Sequence, residues 1–315
     1  MSSIPKVLVP FTVDSTVMTA SSIAEPAAGE TAWVSGGTYV VGDLRILTTT
    51  HRVYKCSLGH TGRTGTPDSA TEAAFWTDWA PTMRYAAYDT LTSTKSTGVT
   101  SVSWTLLFSQ FINSVAIYSL TTGTTSVRVV VKEGAGGATA YDQTNATIFP
   151  GLGFWEYYHL PPEILQKTLF QNIPLVLNPE VTITLTGQSG ATVGCGMVAI
   201  GDMRPLIDTT TWGGTQFGAQ AKPTTYSYIK TEEDGTTTIV RRNFATDMSI
   251  KVEMEHGQAD RALATLQEVL DVPAAWIGTD EEGYSGLNVF GLASGTLTYE
   301  SYNYDIFTID VKGFI

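Results

Sequence analysis

The chain has 315 residues, of which 43% are hydrophobic and only 15% charged, so it has the material for two or three packed domains and global disorder is not expected. Its net charge of -12, from 18 basic and 30 acidic residues, disfavours a partner with a phosphate backbone, and no nucleic-acid binding is expected. Two cysteines, Cys56 and Cys195, exclude a disulfide framework, and no apolar run is long enough to cross a membrane as a helix, so no membrane insertion is expected.

Residues 1–30 read as an arm. Val7 to Phe11 is one short strand, and the remainder is Ser, Thr, Ala, Glu and Pro with no partner strand in sequence, which suits a cover for a neighbouring domain or subunit. The first ten residues hold one Lys and a short apolar run broken by Pro, so no signal peptide is expected.

Residues 31–82 form a small unit with strand-like pieces at 38–41, 44–47 and 52–56, a Gly-rich polar loop, and a closing run with Phe75, Trp76 and Trp79. Six rings, Trp33, Tyr39, Tyr54, Phe75, Trp76 and Trp79, lie within fifty residues. Flat rings stack on the C–H face of sugars, yet a unit this small also needs some of them as core. The candidates for sugar contact are Trp33, Tyr54, Phe75 and Trp79.

Residues 83–202 read as a β-sandwich after a linker that runs to Tyr88. Residues 99–108 and 181–186 alternate, 113–120 and 126–132 read as further strands, and 193–200 runs apolar between glycines. Residues 203–315 change to α+β. The Asp-Gly pair at 234–235 marks a hairpin, and Ala262, Leu263, Leu266, Val269 and Leu270 sit at helical spacing. Eight basic and sixteen acidic residues place most of the negative charge here. The expected fold class is therefore mainly β: a small aromatic-rich module, a jelly-roll-like sandwich, and an α+β C-terminal domain with one helix.

Chemistry is thinly signalled, and neither a catalytic residue nor a cofactor is expected. His51, Cys56 and His60 fall within ten residues, but zinc sites usually need four ligands and paired spacings, so no metal is expected. His159 and His256 are isolated, and neither G-x-S-x-G nor H-E-x-x-H occurs. Glu156 lies among aromatics at 154–158 without an evident partner carboxylate, as a glycosidase would require. The glycines of 212–218 lack the strand, helix and Lys of a phosphate loop and read as a structural loop.

The order Ala32-Trp33, Gly37-Thr-Tyr39, Gly42-Asp43, Val53-Tyr54, Pro67 and Phe75-Trp76 resembles the type 5/12 carbohydrate-binding modules, which take chitin and cellulose. The resemblance implies that Trp76 is core and that Phe75 or Trp79 does the stacking. The stretch 57–65 is longer than the family's loop, which leaves a spacer as the other role for the unit. Further on, Gly213-Gly-Thr-Gln-Phe-Gly-Ala219, Tyr226-Ser227, Glu233-Asp-Gly-Thr-Thr237, Val240-Arg-Arg-Asn-Phe244, Asp260-Arg261 and Pro273-Ala-Ala-Trp-Ile-Gly278 resemble a bacteriophage tail or baseplate domain. The run Gly194-Cys-Gly-Met-Val-Ala-Ile-Gly201 resembles the galactose-binding-like domain that precedes it in such proteins. These resemblances imply a non-enzymatic tail-tip or baseplate protein, assembled in the host cytoplasm and located in the virion tail. Its expected partners are other tail proteins, further copies of itself in a trimer or hexamer, and host surface polysaccharide. A secreted polysaccharide-degrading enzyme and a free lectin-like protein are the competing classes.

Overall fold

Alternation and continuous apolar runs both become strands, for different reasons. The computed structural model describes residues 3–148, 164–231, 235–281 and 283–314, and among them the chain is mainly β with one α-helix. In chain order, β1 (Lys6–Pro10) and β2 (Met18–Ser21) precede the aromatic module. That module holds β3 (Thr38–Tyr39), β4 (Leu44–Leu47), β5 (Arg52–Cys56), β6 (His60–Thr61) and β7 (Trp76–Pro81). Next come β8 (Ser96–Val99), β9 (Ser101–Leu107), β10 (Ser114–Tyr118), β11 (Thr124–Lys132) and β12 (Thr139–Ala146). The sandwich ends with β13 (Lys167–Phe170), β14 (Glu180–Gly187), β15 (Thr192–Cys195) and β16 (Met197–Pro205). The C-terminal part starts with β17 (Gly213–Thr215), β18 (Gln220–Thr225), β19 (Tyr228–Thr231), β20 (Thr237–Val240) and β21 (Phe244–Glu255). It closes with α1 (Ala259–Glu268), β22 (Ala274–Ile277), β23 (Asn288–Thr298) and β24 (Tyr304–Gly313).

One sheet of the sandwich runs β12-β11-β14-β9-β2. Its central strands bury every second residue: Val102, Trp104 and Leu106 from β9, and Val181, Ile183 and Leu185 from β14. A half-buried strand alternates in this way because one face meets the core and the other meets water. β10 and the first half of β16 are buried on both faces, which explains the apolar stretches 115–118 and 197–200. Val115, Ile117, Val198 and Ile200 face the sandwich core, while Ala116, Tyr118, Met197 and Ala199 face a second cluster on the other side.

The segment expected as an arm supplies two strands. β2 pairs with β9, and β1 lies inside the larger sheet, antiparallel to both β16 and β22. That sheet runs β13-β10-β16-β1-β22-β23-β24-β21, with β17 and β18 both paired to β21. The sandwich and the C-terminal region therefore share one sheet through β1. Gly201 permits the close approach, since a Cβ there would lie 2.2 Å from the Val9 carbonyl oxygen.

α1 covers one face of the C-terminal half, burying Ala262 and Leu266 beside Val269 and Phe307. It starts three residues before Ala262 and ends at Glu268, so Val269 and Leu270 of the periodic pattern lie beyond it. On the opposite face the sheet curls. The Tyr118 hydroxyl on β10 donates to Asn288 Oδ1 at 2.5 Å, and the Lys167 ammonium on β13 donates to the Asn288 carbonyl at 2.6 Å. Both bonds tie the β13-β10 edge back towards β23.

Candidate functional site

The aromatic module is two small sheets, β4-β5-β7 and β3-β6. Its core joins Tyr39, Leu47, Tyr54, Cys56 and Trp76. His60 sits among the rings, with centroids 5.4 Å from Tyr39, 5.1 Å from Phe75 and 5.4 Å from Trp76. Three large aromatics and a histidine fill a volume that a longer chain would fill with aliphatic residues.

The four candidate sugar-contacting rings separate. Tyr54 is 6% exposed, and its hydroxyl approaches the Thr50 hydroxyl at 3.3 Å, so the ring is core. Trp33 is half-buried against the same cluster. Phe75 is half-buried too, and the Arg63 guanidinium covers its face at 3.8 Å. Arg63 is itself held by Glu72 through two hydrogen bonds of 2.7 and 3.1 Å, and the guanidinium keeps that carboxyl below its ordinary pKa. Trp79 differs, being 58% exposed.

The reason lies in strand register. Tyr54 pairs with Asp78 and Val53 with Ala80, so Trp79 is the extra residue of a β-bulge in β7. A bulge interrupts in-and-out alternation and re-aims the extra side chain. Lys55, from the neighbouring strand, places its ammonium 4.4 Å from the Trp79 ring centre. Beside it the Ser57 and Thr77 hydroxyls bond at 2.7 Å, and Asp78 accepts from Arg52 at 2.9 and 3.1 Å. This face offers one open ring, one cation and two hydroxyls. Lys55 was missed from the sequence, because its relation to Trp79 depends on the bulge.

The three residues considered for a metal do not converge. Cys56 Sγ and His60 Nδ1 are 4.0 Å apart, but both bond the Leu58 carbonyl oxygen, at 3.3 and 3.0 Å. Burial raises the Cys56 pKa, favouring the thiol over the metal-binding thiolate. His51 faces another way, with Nδ1 2.7 Å from Glu25 Oε2 and its ring 4.4 Å from that of Tyr85. Glu25 also accepts from Thr82 Oγ1 at 2.7 Å, and Glu30 accepts from the backbone N–H of Met83 at 2.6 Å. These bonds strap residues 22–30 across the junction between module and sandwich. Among the described residues, no group of three or more His, Cys, Asp or Glu is placed to hold a metal ion.

Glu156 and His159 lie outside the described residues. His256 is not isolated in space: its Nδ1 lies 2.8 Å from Oδ2 of the buried Asp305, and its ring stacks on Tyr302. Among the described residues no hydroxyl or thiol bonds its other ring nitrogen. Residues 212–218, expected as a loop, contain β17, which pairs with β21 through Gly213 to Thr215.

No protein-family model matches the chain. No curated protein matches it either. One solved chain does, in an entry described as the X-ray crystal structure of reduced XRCC1 bound to DNA pol beta catalytic domain. It is 21% identical over 33% of this chain and 74% of that one, with a TM-score of 0.23, a likeness too slight to carry an argument.

Proposed function

We propose that this chain is a non-enzymatic structural protein of a bacteriophage tail tip or baseplate, and that it touches host surface polysaccharide through Trp79. The observation that carries the contact is the bulge at Trp79: five of the module's six rings pack inward or are covered, and this one is turned out. A half-free indole beside an ammonium and hydroxyls is the donor set a neutral pyranose stacks on.

The outer edge of the C-terminal sheet supports an assembly role. β18 to β20 bury almost nothing, and Phe217, Ile229 and Ile239 are largely exposed. A two-stranded hairpin such as β19-β20 is marginal alone, and exposed apolar patches of this kind mark interfaces. The tail resemblance includes Phe217 and residues on both sides of the hairpin. In a tail, such an edge would join neighbouring tail proteins or further copies of the chain in three- or six-fold symmetry.

Two measurements test the two halves. Retention on insoluble chitin, cellulose or lipopolysaccharide is expected to weaken by about 1–3 kcal/mol in Trp79→Ala, with unchanged melting. Equal retention by the variant removes Trp79 from the contact. An antibody to the chain should decorate the tail of negatively stained virions, and labelling elsewhere or nowhere ends the assembly reading.

A further inference from the structure

Where the sandwich meets the C-terminal sheet, the curled sheet leaves a cavity of about 260 Å³. Its walls come from residues 92–95, the end of β10, the start of β13, the start of β21, the start of β23 and the end of β24 with Phe314. No residue of the aromatic module lines it.

Two cations lie on this wall, the exposed Lys95 and the half-buried Lys167, and among the described residues no carboxylate does. That is the reverse of a chain with 30 acidic and 18 basic residues. The Lys167 ammonium donates to the carbonyl oxygens of Asn288 at 2.6 Å and Ser285 at 3.3 Å. Both acceptors are neutral, and among the described residues no carboxylate bonds this ammonium, an arrangement that is costly away from water. Burial accordingly lowers its pKa to about 8. An anion in the cavity would pair with both cations of the described wall.

The rest of the wall narrows the kind of anion. Ser119, Gln166 and Asn243 offer hydroxyl and amide groups, and Phe244 presents an exposed ring. A bare inorganic anion has no use for an aromatic ring, and a fatty acid has none for the amides. A sugar carrying a carboxylate uses all three: its C–H face meets the ring, its hydroxyls meet the amides, and its carboxylate meets the lysines. The volume lies below the usual ligand-pocket range of roughly 300–1,000 Å³, which suits a single sugar ring.

We propose that this cleft binds one hexuronate residue of an acidic polysaccharide, with the carboxylate between Lys167 and Lys95 and the pyranose against Phe244. The choice of a sugar over another carboxylate rests on the polysaccharide reading above.

Titration calorimetry of the full chain with methyl α-D-galacturonoside, methyl α-D-galactoside and acetate tests it. The uronoside is expected to bind at least tenfold tighter than either control. Lys167→Met and Lys95→Glu should each weaken it tenfold or more, and Phe244→Ala should bring it towards acetate. Lys95 is exposed, so its variant keeps the fold even where Lys167→Met does not. Equal binding of uronoside and galactoside, or an unaffected Lys95→Glu, overturns the proposal. So does displacement of the uronoside by a lower concentration of a peptide with a free C-terminal carboxylate, which would assign the cleft to a partner protein. Retention on neutral polysaccharide through Trp79 with no uronoside binding removes this site alone. Uronoside binding in a chain whose Trp79→Ala variant is retained normally removes the Trp79 contact alone.

Discussion

The sandwich and the aromatic module both bury rings, yet aromatic content means different things in the two. In the sandwich, Trp104 is one large residue in a core of Val, Ile and Leu laid down by alternating strands. In the module, Tyr39, Tyr54 and Trp76 are most of the core. A unit of some fifty residues has few inward positions and must fill them with bulk. The same richness in rings that suggests a binding face is therefore first a requirement of folding. A site is the ring that strand geometry turns outward, here Trp79.

The largest expected effects test whether these two cores are separate. Trp104→Ala should cost the sandwich about 3–5 kcal/mol in chemical denaturation, by analogy with other buried Trp truncations. Its ring is fully buried and meets Tyr88 edge-on at 5.9 Å. Trp76→Ala should cost about 3 kcal/mol, at the low end of that range because its buried Nε1 has no partner to lose. Amide exchange should show the second loss confined to residues 31–82. If protection falls in β9 and β14 as well, module and sandwich form one cooperative unit, and the straps from Glu25 and Glu30 are stronger than a tether.

Lys167 sharpens the comparison between a satisfied core and an unsatisfied cleft. Its pKa is about 8 in the folded chain, against an ordinary 10.5. Below pH 8 both folded and unfolded chains hold the proton, and the burial cost is fully present. Between 8 and 10.5 the unfolded chain binds the proton and the folded chain does not, so this group makes stability rise with pH through that window. The full shift corresponds to about 3 kcal/mol, and partial solvent access reduces it to roughly 1–2 kcal/mol. Urea denaturation at pH 7, 8, 9 and 10, compared with Lys167→Met, isolates the contribution. A flat difference between the two proteins would mean that the ammonium is solvated.

Much of this fold was legible because it is local. The alternation at 181–186, the Asp-Gly hairpin and the 3.6-residue spacing from Ala262 to Val269 each appear within a dozen residues, and each became the element expected. The misses are long-range or depend on register. Nothing in Val7 to Val9 tells that their strand inserts between β16 and β22, because the partners lie about two hundred residues away. The glycines of 212–218 looked irregular, yet Gly213 and Gly214 form an edge strand at positive φ. Lys95 and Lys167 line one cavity although 72 residues separate them in sequence. Of the candidate rings, Tyr54 was misread as a contact because its strand's facing is set by β4 and β7, which the sequence alone does not align.

The smallest expected effect is the most discriminating. Trp79→Ala should change stability by no more than about 0.5 kcal/mol, as surface substitutions do. What it removes is the cation–π contact with Lys55, worth roughly 0.5–1 kcal/mol at an exposed site and partly recovered when the freed ammonium is solvated. Tyr54→Ala, one strand away, should cost several times more, because its ring is core. Paired melting curves of the two variants read the faces of the module directly. If Trp79→Ala melts as low as Tyr54→Ala, the bulge packs its tryptophan after all, and the outward face has no ring to offer a sugar.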